Sequence, residues 1–187
     1  MNSFQDLPKD LPVPEDDGAC DHLTGAKLPD ITLPTTNDDW VNLSNHIGIL
    51  VVYFYPMTGR PNVPPPDGWD EIPGARGCTP QSCSFRDHFS ELSALGASIF
   101  GMSTQNTSYQ KEMVERLQLP FPVISDSNLE YSNALKIPTF YVDNKILMKR
   151  VTLIVIDGVI STFHYPIFPS YSDPEWVISY LSSHDIS

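Results

Sequence analysis

The sequence predicts an α/β fold in which a central mixed β-sheet is flanked by helices. Three observations carry this. Ile49-Leu50-Val51-Val52-Tyr53-Phe54-Tyr55 is a continuous apolar run of β-type residues, the pattern of a strand buried on both faces. After it, helix-like and strand-like segments alternate so that the chain reads β-α-β-α-β, an order that favours parallel neighbours. Residues 152–156 and 159–163, joined by Asp157-Gly158, then read as a hairpin, which adds an antiparallel pair and makes the sheet mixed.

Each element follows from a local pattern. Residues 1–27 hold Pro8, Pro12, Pro14 and a cluster of Asp and Glu with no helical or strand period. They are expected as an extended N-terminal segment, poorly ordered or wrapped onto the body. Residues 30–34 and 40–43 alternate like the strands of a short hairpin. The stretch from Pro56 to Gly77 is irregular and holds six of the eighteen prolines. A helix is expected from Cys78 to about Leu95, because Phe85, Phe89, Leu92 and Leu95 form one apolar stripe. Thr79 is its candidate N-cap, and Pro80 is tolerated in a first turn. A strand at 97–102, a helix near 107–117, a strand at 122–125 and a short helix near 129–135 follow. Two β-type runs, 139–142 and 146–148, flank a turn at Asp143-Asn144. A closing helix spans 173–183, with Ser172 or Asp173 as its cap and Pro174 at its first position. The whole chain, 1–187, reads as one domain without internal repeats.

Bulk properties exclude several classes. The net charge of −12 disfavours nucleic acid and anionic membrane as partners, since both need a basic face. No apolar run approaches the roughly 18 residues that span a bilayer. The first nineteen residues lack the basic and apolar regions of a secretory signal. Three cysteines, Cys20, Cys78 and Cys83, are too few for a disulfide scaffold and suggest a reducing, cytoplasmic setting.

The chemistry concentrates at Arg76-Gly77-Cys78-Thr79-Pro80-Gln81-Ser82-Cys83-Ser84-Phe85-Arg86-Asp87. A cysteine at a helix start is activated, because free N–H groups and the positive end of the helix dipole stabilise thiolate over thiol. At about 100° per residue, Cys78 lies roughly 20° from Phe85 and about 140° from Cys83, so the two thiols diverge while the helix is intact.

Tyr53-Phe54-Tyr55-Pro56, then Gly77-Cys78-Thr79 at a helix start with Cys83 five residues on and Phe85-Arg86-Asp87 following, then Arg150-Val151-Thr152 entering the Asp157-Gly158 hairpin, resembles the peroxiredoxin family. The resemblance runs from about Gly25 to Leu181 and is closest to the bacterioferritin-comigratory (Q-type) subgroup. It implies a thioredoxin-like fold and a thiol-dependent peroxidase acting on hydrogen peroxide or alkyl hydroperoxides. In that reading Cys78 attacks the peroxide and becomes a sulfenic acid, and Cys83 resolves it as an intramolecular disulfide. Arg150 would supply the cation, with Arg86 as a second candidate, and Pro56 is the motif proline. The implied reductant is thioredoxin or a similar dithiol protein, with no cofactor and no metal, and the chain acting as monomer or homodimer.

Two departures stand out. Pro56 is 22 residues before Cys78, where the family pattern has seven, so residues 57–77 are expected as an inserted loop. Ala75 occupies the position of the family threonine, and Thr58 is the nearest substitute for its hydroxyl. Without that threonine, a non-catalytic thioredoxin-fold module for redox sensing or binding is the alternative. Ile137-Pro138-Thr139-Phe140 looks like the cis-proline segment of thioredoxins, but an ordinary trans bond is expected, since Arg150-Val151-Thr152 already holds that place. A metal site built on Cys78, Cys83 and His88 is disfavoured, because the spacing spreads the ligands around a helix. His22, His46, His164 and His184 stand alone and read as surface or satisfied core residues.

Overall fold

The computed structural model describes residues 7–184; the first six positions of the N-terminal segment and residues 185–187 lie outside the described part. A short hairpin comes first, strands β1 (Thr32–Pro34) and β2 (Trp40–Asn42). The main sheet is built from β3 (Ile49–Phe54), β4 (Ala97–Ser103), β5 (Val123–Ser125), β8 (Val151–Ile156) and β9 (Val159–His164), in the spatial order β5-β4-β3-β8-β9. β3 and β5 run parallel to β4, while β8 is antiparallel to both β3 and β9, so the sheet is mixed as expected. β6 (Thr139–Val142) and β7 (Lys145–Met148) form a separate hairpin outside this sheet.

β3 is central and buried on both faces, as its unbroken apolar run requires. Leu50, Val52 and Phe54 face one core, with Cys20, Leu23 and Leu28 of the N-terminal segment and Tyr131 and Leu135 of α4 (Glu130–Leu135). Val51, Tyr53 and Tyr55 face the other core, under α1 (Cys78–Asp87), α2 (Phe89–Ala94), α3 (Thr107–Leu117) and α5 (Asp173–Ser183). Each large side chain buried in this way stabilises the fold by about 2 kcal/mol relative to exposure. The N-terminal segment is wrapped over 7–27: Lys27 bridges to Val159, and Asp17 accepts hydrogen bonds from Lys149 at 3.1 Å and Tyr165 at 2.8 Å.

Three local expectations are corrected. The helix expected from Cys78 to Leu95 is two helices, because the chain bends at His88, whose φ, ψ of −97°, 5° leave the helical region. The bend is held by the His88 N–H and ring Nδ1, both directed at the Ser84 carbonyl. Phe85 and Leu92 are nevertheless both fully buried, so the apolar stripe survives the break. Thr79 is not the cap: Gly77, at φ 113°, precedes the helix, and Thr79 is its second residue. At the other end of the chain Ser172 precedes α5 without a side-chain cap bond, and Asp173 turns inward instead of capping. Cis peptide bonds precede Pro166 and Pro169; Pro138 is preceded by a trans bond.

Gly101 on β4 lets the Tyr53 ring approach the strand closely. A Cβ there would stand 2.8 Å from Tyr53 Cζ and 2.9 Å from its hydroxyl. That ring stacks on Phe85 at 4.5 Å and reaches Ser82 with its hydroxyl at 3.0 Å, so it cannot move without displacing α1. Gly101→Ala is therefore expected to destabilise the protein by about 1–3 kcal/mol. Urea unfolding measures this, and a midpoint equal to wild type would mean that the ring relocates freely.

Candidate active site

Topology brings the site together. β3 and β8 are antiparallel with Phe54 opposite Val151, so the C-terminal end of β3 lies beside the start of β8. The chain leaves the sheet at Tyr55, whose N–H still bonds Met102, and at buried Pro56, which has no N–H to extend the ladder. It returns at Gly77 to start α1. Along β8, alternate residues face opposite sides, with Leu153 in one core and Ile154 in the other. Arg150 and Thr152, two apart, therefore project together towards α1 and α5.

Cys78 is the first residue of α1 and is 3% exposed. Arg150 is 4% exposed, and its Nη2 lies 3.4 Å from Cys78 Sγ. The same nitrogen donates to the carbonyls of Gly74, Ala75 and Arg76 at 3.1, 3.2 and 3.3 Å, while Nη1 donates to the side chain of Gln81. As a thiol, Cys78 also has the Ala75 carbonyl at 3.7 Å. Cys78 and Thr79 present N–H groups that have no intrahelical acceptor, and Pro80 contributes none. A cation, free N–H groups and a sulfur thus converge at a largely buried point.

Thr58 is buried and lines the same cavity as Cys78, but its hydroxyl donates to Gln105 Oε1 at 3.3 Å, and no hydrogen bond joins it to the sulfur among the described residues. Gln105 grips the Thr58 backbone as well, accepting from its N–H and donating to its carbonyl, both at 3.0 Å. Arg86 turns away from the sulfur, paired with Asp87 at 2.9 Å and bonded to the Leu117 carbonyl at 2.8 Å. Cys83 lies further along α1, 6% exposed, and burial pushes its thiol above the usual range, with the Arg86 charge opposing. Cys20 sits on the opposite face of the sheet, where burial, reinforced by Asp17, Asp16 and Asp21, pushes it up to about 12. All three cysteines are free. Among the described residues no group of three His, Cys, Asp or Glu could hold a metal ion, and no helix is long and apolar enough to cross a membrane.

A cavity of about 410 Å³ opens over Cys78, walled by Met57, Val63, Pro64, Trp69 and Tyr109. The 57–77 stretch that supplies most of this wall is anchored: Trp69 and Ala75 are buried and pack with Leu147 of β7, and Trp69 lies 6.1 Å from Phe140 of β6.

Sequence reasoning missed Gln81, Asp173 and Gln105. Gln81 carried a signal, since it stands three residues after Cys78 on nearly the same side of α1. His164, read as a satisfied histidine, is indeed bonded: its Nδ1 is 2.8 Å from Asp173 Oδ1.

Known proteins agree with this architecture. Peroxiredoxin Q of Oryza sativa subsp. japonica, a chloroplastic protein, is 35% identical over 103 residues, 54% of this chain and 41% of the rice protein. A putative peroxiredoxin bcp of Coxiella burnetii is 32% identical over 105 residues, 56% of this chain and 60% of that one. The aligned part thus spans less than two thirds of either relative. Among solved structures, peroxidoxin BcpB from Mycobacterium tuberculosis superposes with a TM-score of 0.71 at 23% identity, covering 87% of this chain and 98% of that one. Peroxiredoxin Q from Xanthomonas campestris superposes with a TM-score of 0.69 at 21% identity, covering 87% and 97%. These superpositions establish the thioredoxin-like fold expected from the sequence. The redoxin family model matches residues 23–175, and the resemblance read from the motifs holds: this chain belongs to the redoxin family, with Q-type peroxiredoxins as its relatives.

Proposed function

We propose that this protein is a thiol-dependent peroxidase that reduces hydrogen peroxide or alkyl hydroperoxides through Cys78. The observation that carries the reading is the buried Arg150 guanidinium 3.4 Å from Cys78 Sγ at the start of α1, beneath a cavity that admits a small substrate. Its relatives named as peroxiredoxins support the same chemistry.

In this mechanism the Cys78 thiolate attacks one peroxide oxygen. An S–O bond forms, the O–O bond breaks, and the departing alkoxide or hydroxide leaves with the bonding pair and takes a proton. Sulfur is oxidised by two electrons and the peroxide is reduced by two. Arg150, always charged and rich in donors, stabilises the thiolate and the charge growing on the leaving oxygen. Cys78 is left as a sulfenic acid, which condenses with the Cys83 thiol to a disulfide and water. A dithiol protein of the thioredoxin type then returns both thiols, consistent with a reducing compartment. Pro56 ends β3 beside the site, and Thr58, held by Gln105, lines the substrate cavity and does not bond the sulfur.

Peroxide consumption by the purified protein with a dithiol reductant is the direct test. Cys78→Ser is expected to abolish it and Cys20→Ser to leave it nearly intact; activity in the Cys78 variant would end the proposal. Arg150→Met is expected to slow oxidation of Cys78 by roughly 10²-fold, the cost of losing a charge-assisted contact in the transition state. An unchanged rate would assign the whole effect to the helix start. Mass spectrometry of protein treated with one equivalent of peroxide should find a Cys78–Cys83 disulfide, and hydrogen exchange should rise within residues 78–86. A Cys20–Cys78 or intermolecular bridge with α1 unchanged would make Cys83 structural.

A further inference from the structure

The hydrogen-bond network beneath Cys78 continues past Arg150 to groups that the peroxidase steps do not use. Gln81 is fully buried; its Oε1 accepts from Arg150 Nη1, and its Nε2 donates to Asp173 Oδ2 at 2.7 Å. Asp173, the first residue of α5, is fully buried too. It also accepts from the Thr152 hydroxyl at 2.6 Å and faces His164 Nδ1 at 2.8 Å. The His164 ring is in turn stacked on Trp176, with centroids 4.4 Å apart and planes 9° apart.

We propose that Asp173 is a positioning residue for the thiol site: it fixes the orientation of the Gln81 amide, and through it the guanidinium of Arg150 over Cys78. The inference rests on the peroxidase reading only for its importance in turnover. A guanidinium only donates and a carboxylate only accepts, so an amide between them has one orientation that satisfies both. Reversing it would set N–H against N–H at Arg150 and oxygen against oxygen at Asp173, where both Gln81 and Asp173 are fully buried and an unmatched polar pair is costly. Thr152 and His164 occupy the remaining sides of the carboxylate, so Asp173 cannot rotate to relieve the mismatch. The register explains why these groups meet: Thr152 is two residues after Arg150 on the α1-facing side of β8, and lies opposite His164 in the β8–β9 pairing.

The test is a double-mutant cycle on the full chain, read by two rates at Cys78: alkylation by iodoacetamide, which reports the thiolate, and oxidation by hydrogen peroxide. Asp173→Asn keeps the shape of the side chain but presents an amine as well as an oxygen to Gln81. Both rates are expected to fall roughly tenfold, the size of coupling seen between groups in one network. The pH at which Cys78 ionises, read from thiolate absorbance, is expected to rise. Gln81→Leu keeps helix propensity and should cause a similar loss. The double variant should be no slower than Gln81→Leu alone. His164→Phe, which keeps a ring against Trp176, should give a smaller loss that also vanishes in the Gln81→Leu background. If Asp173→Asn does not fold, this second cycle carries the test. Additive losses would overturn the proposal, as would a faster Cys78 in Asp173→Asn, the sign expected if Asp173 acted only as a nearby negative charge. A wild-type protein that alkylates in this pattern but consumes no peroxide would refute the peroxidase reading and leave the relay standing.

Discussion

Burying the guanidinium of Arg150 is the constraint on which the rest of the site depends. Taking such a charge out of water costs several kcal/mol unless its donors are matched. Here three consecutive carbonyls, Gly74 to Arg76, turn towards Nη2, while Gln81 takes Nη1. That requirement sets the path of the chain just before α1, since no regular element would aim three successive carbonyls at one point. It also places the helix start, because Gly77 and Cys78 follow directly. Every oxygen bonded to the guanidinium among the described residues is neutral, and the Asp173 carboxylate is linked to it through the Gln81 amide. Nη2 also reaches the Cys78 sulfur at 3.4 Å, so a thiolate there supplies the charge that the carbonyls cannot, while Nε has no hydrogen-bond partner among the described residues.

The loop 57–77 and the hairpin β6–β7 belong together. A stretch of some twenty residues without regular strands is unusual in a compact domain unless something orders it. Trp69 and Ala75 bury themselves against Leu147, with Phe140 beside them, and the loop's other end is gripped by Gln105 at Thr58 and by Arg116 at the Gly59 carbonyl. The hairpin faces both ways: Met148 of β7 is buried in the main-sheet core, while Leu147 packs with the loop. Loop and hairpin thus share a small core, and the wall over Cys78 is held at both ends.

Much of this was legible in the sequence, for identifiable reasons. The central strand could be placed because being covered on both faces leaves an unbroken apolar run, and the Asp157-Gly158 hairpin because its turn needs those residues. Cys78 and Arg150 were legible through motif and context. The break at His88 was not, since the apolar stripe of Phe85 and Leu92 continues through it and only the local bonds to Ser84 record the bend. The partner of the Thr58 hydroxyl was not legible, because Gln105, which accepts it, stands 47 residues away in the chain. Asp173 read as a cap because acidic residues favour helix starts. Its burial depends on groups contributed by β8, β9 and α1, a convergence that no local pattern reports.

The same network bears on how a disulfide can form between two cysteines of one helix. Cα atoms five residues apart on an α-helix are about 8.6 Å apart, from its radius of about 2.3 Å and rise of about 1.5 Å. A disulfide tolerates at most about 7 Å and needs converging Cβ vectors, so α1 must open. Opening the half that carries Cys83 would pull Phe85 from its stack on Tyr53, and losing such a buried ring costs about 3–5 kcal/mol. It would also break the bond from Ser84 Oγ to the Tyr171 carbonyl at 2.6 Å. Opening the first turn costs the Cys78–Arg150 contact, and oxidation itself weakens that contact, because a sulfenic acid no longer offers the guanidinium a negative charge. The first three residues, Cys78 to Pro80, have no intrahelical N–H bonds to give up, while Gln81 stays tied to Asp173. The balance favours a first turn that unwinds from Cys78 to Pro80 and pivots at Gln81, carrying the oxidised sulfur towards a Cys83 that stays in place. Residue-resolved hydrogen exchange of the oxidised protein separates the two routes: protection retained at Phe85 and Arg86 fits opening of the first turn, and its loss there would mean that the Cys83 half melts instead.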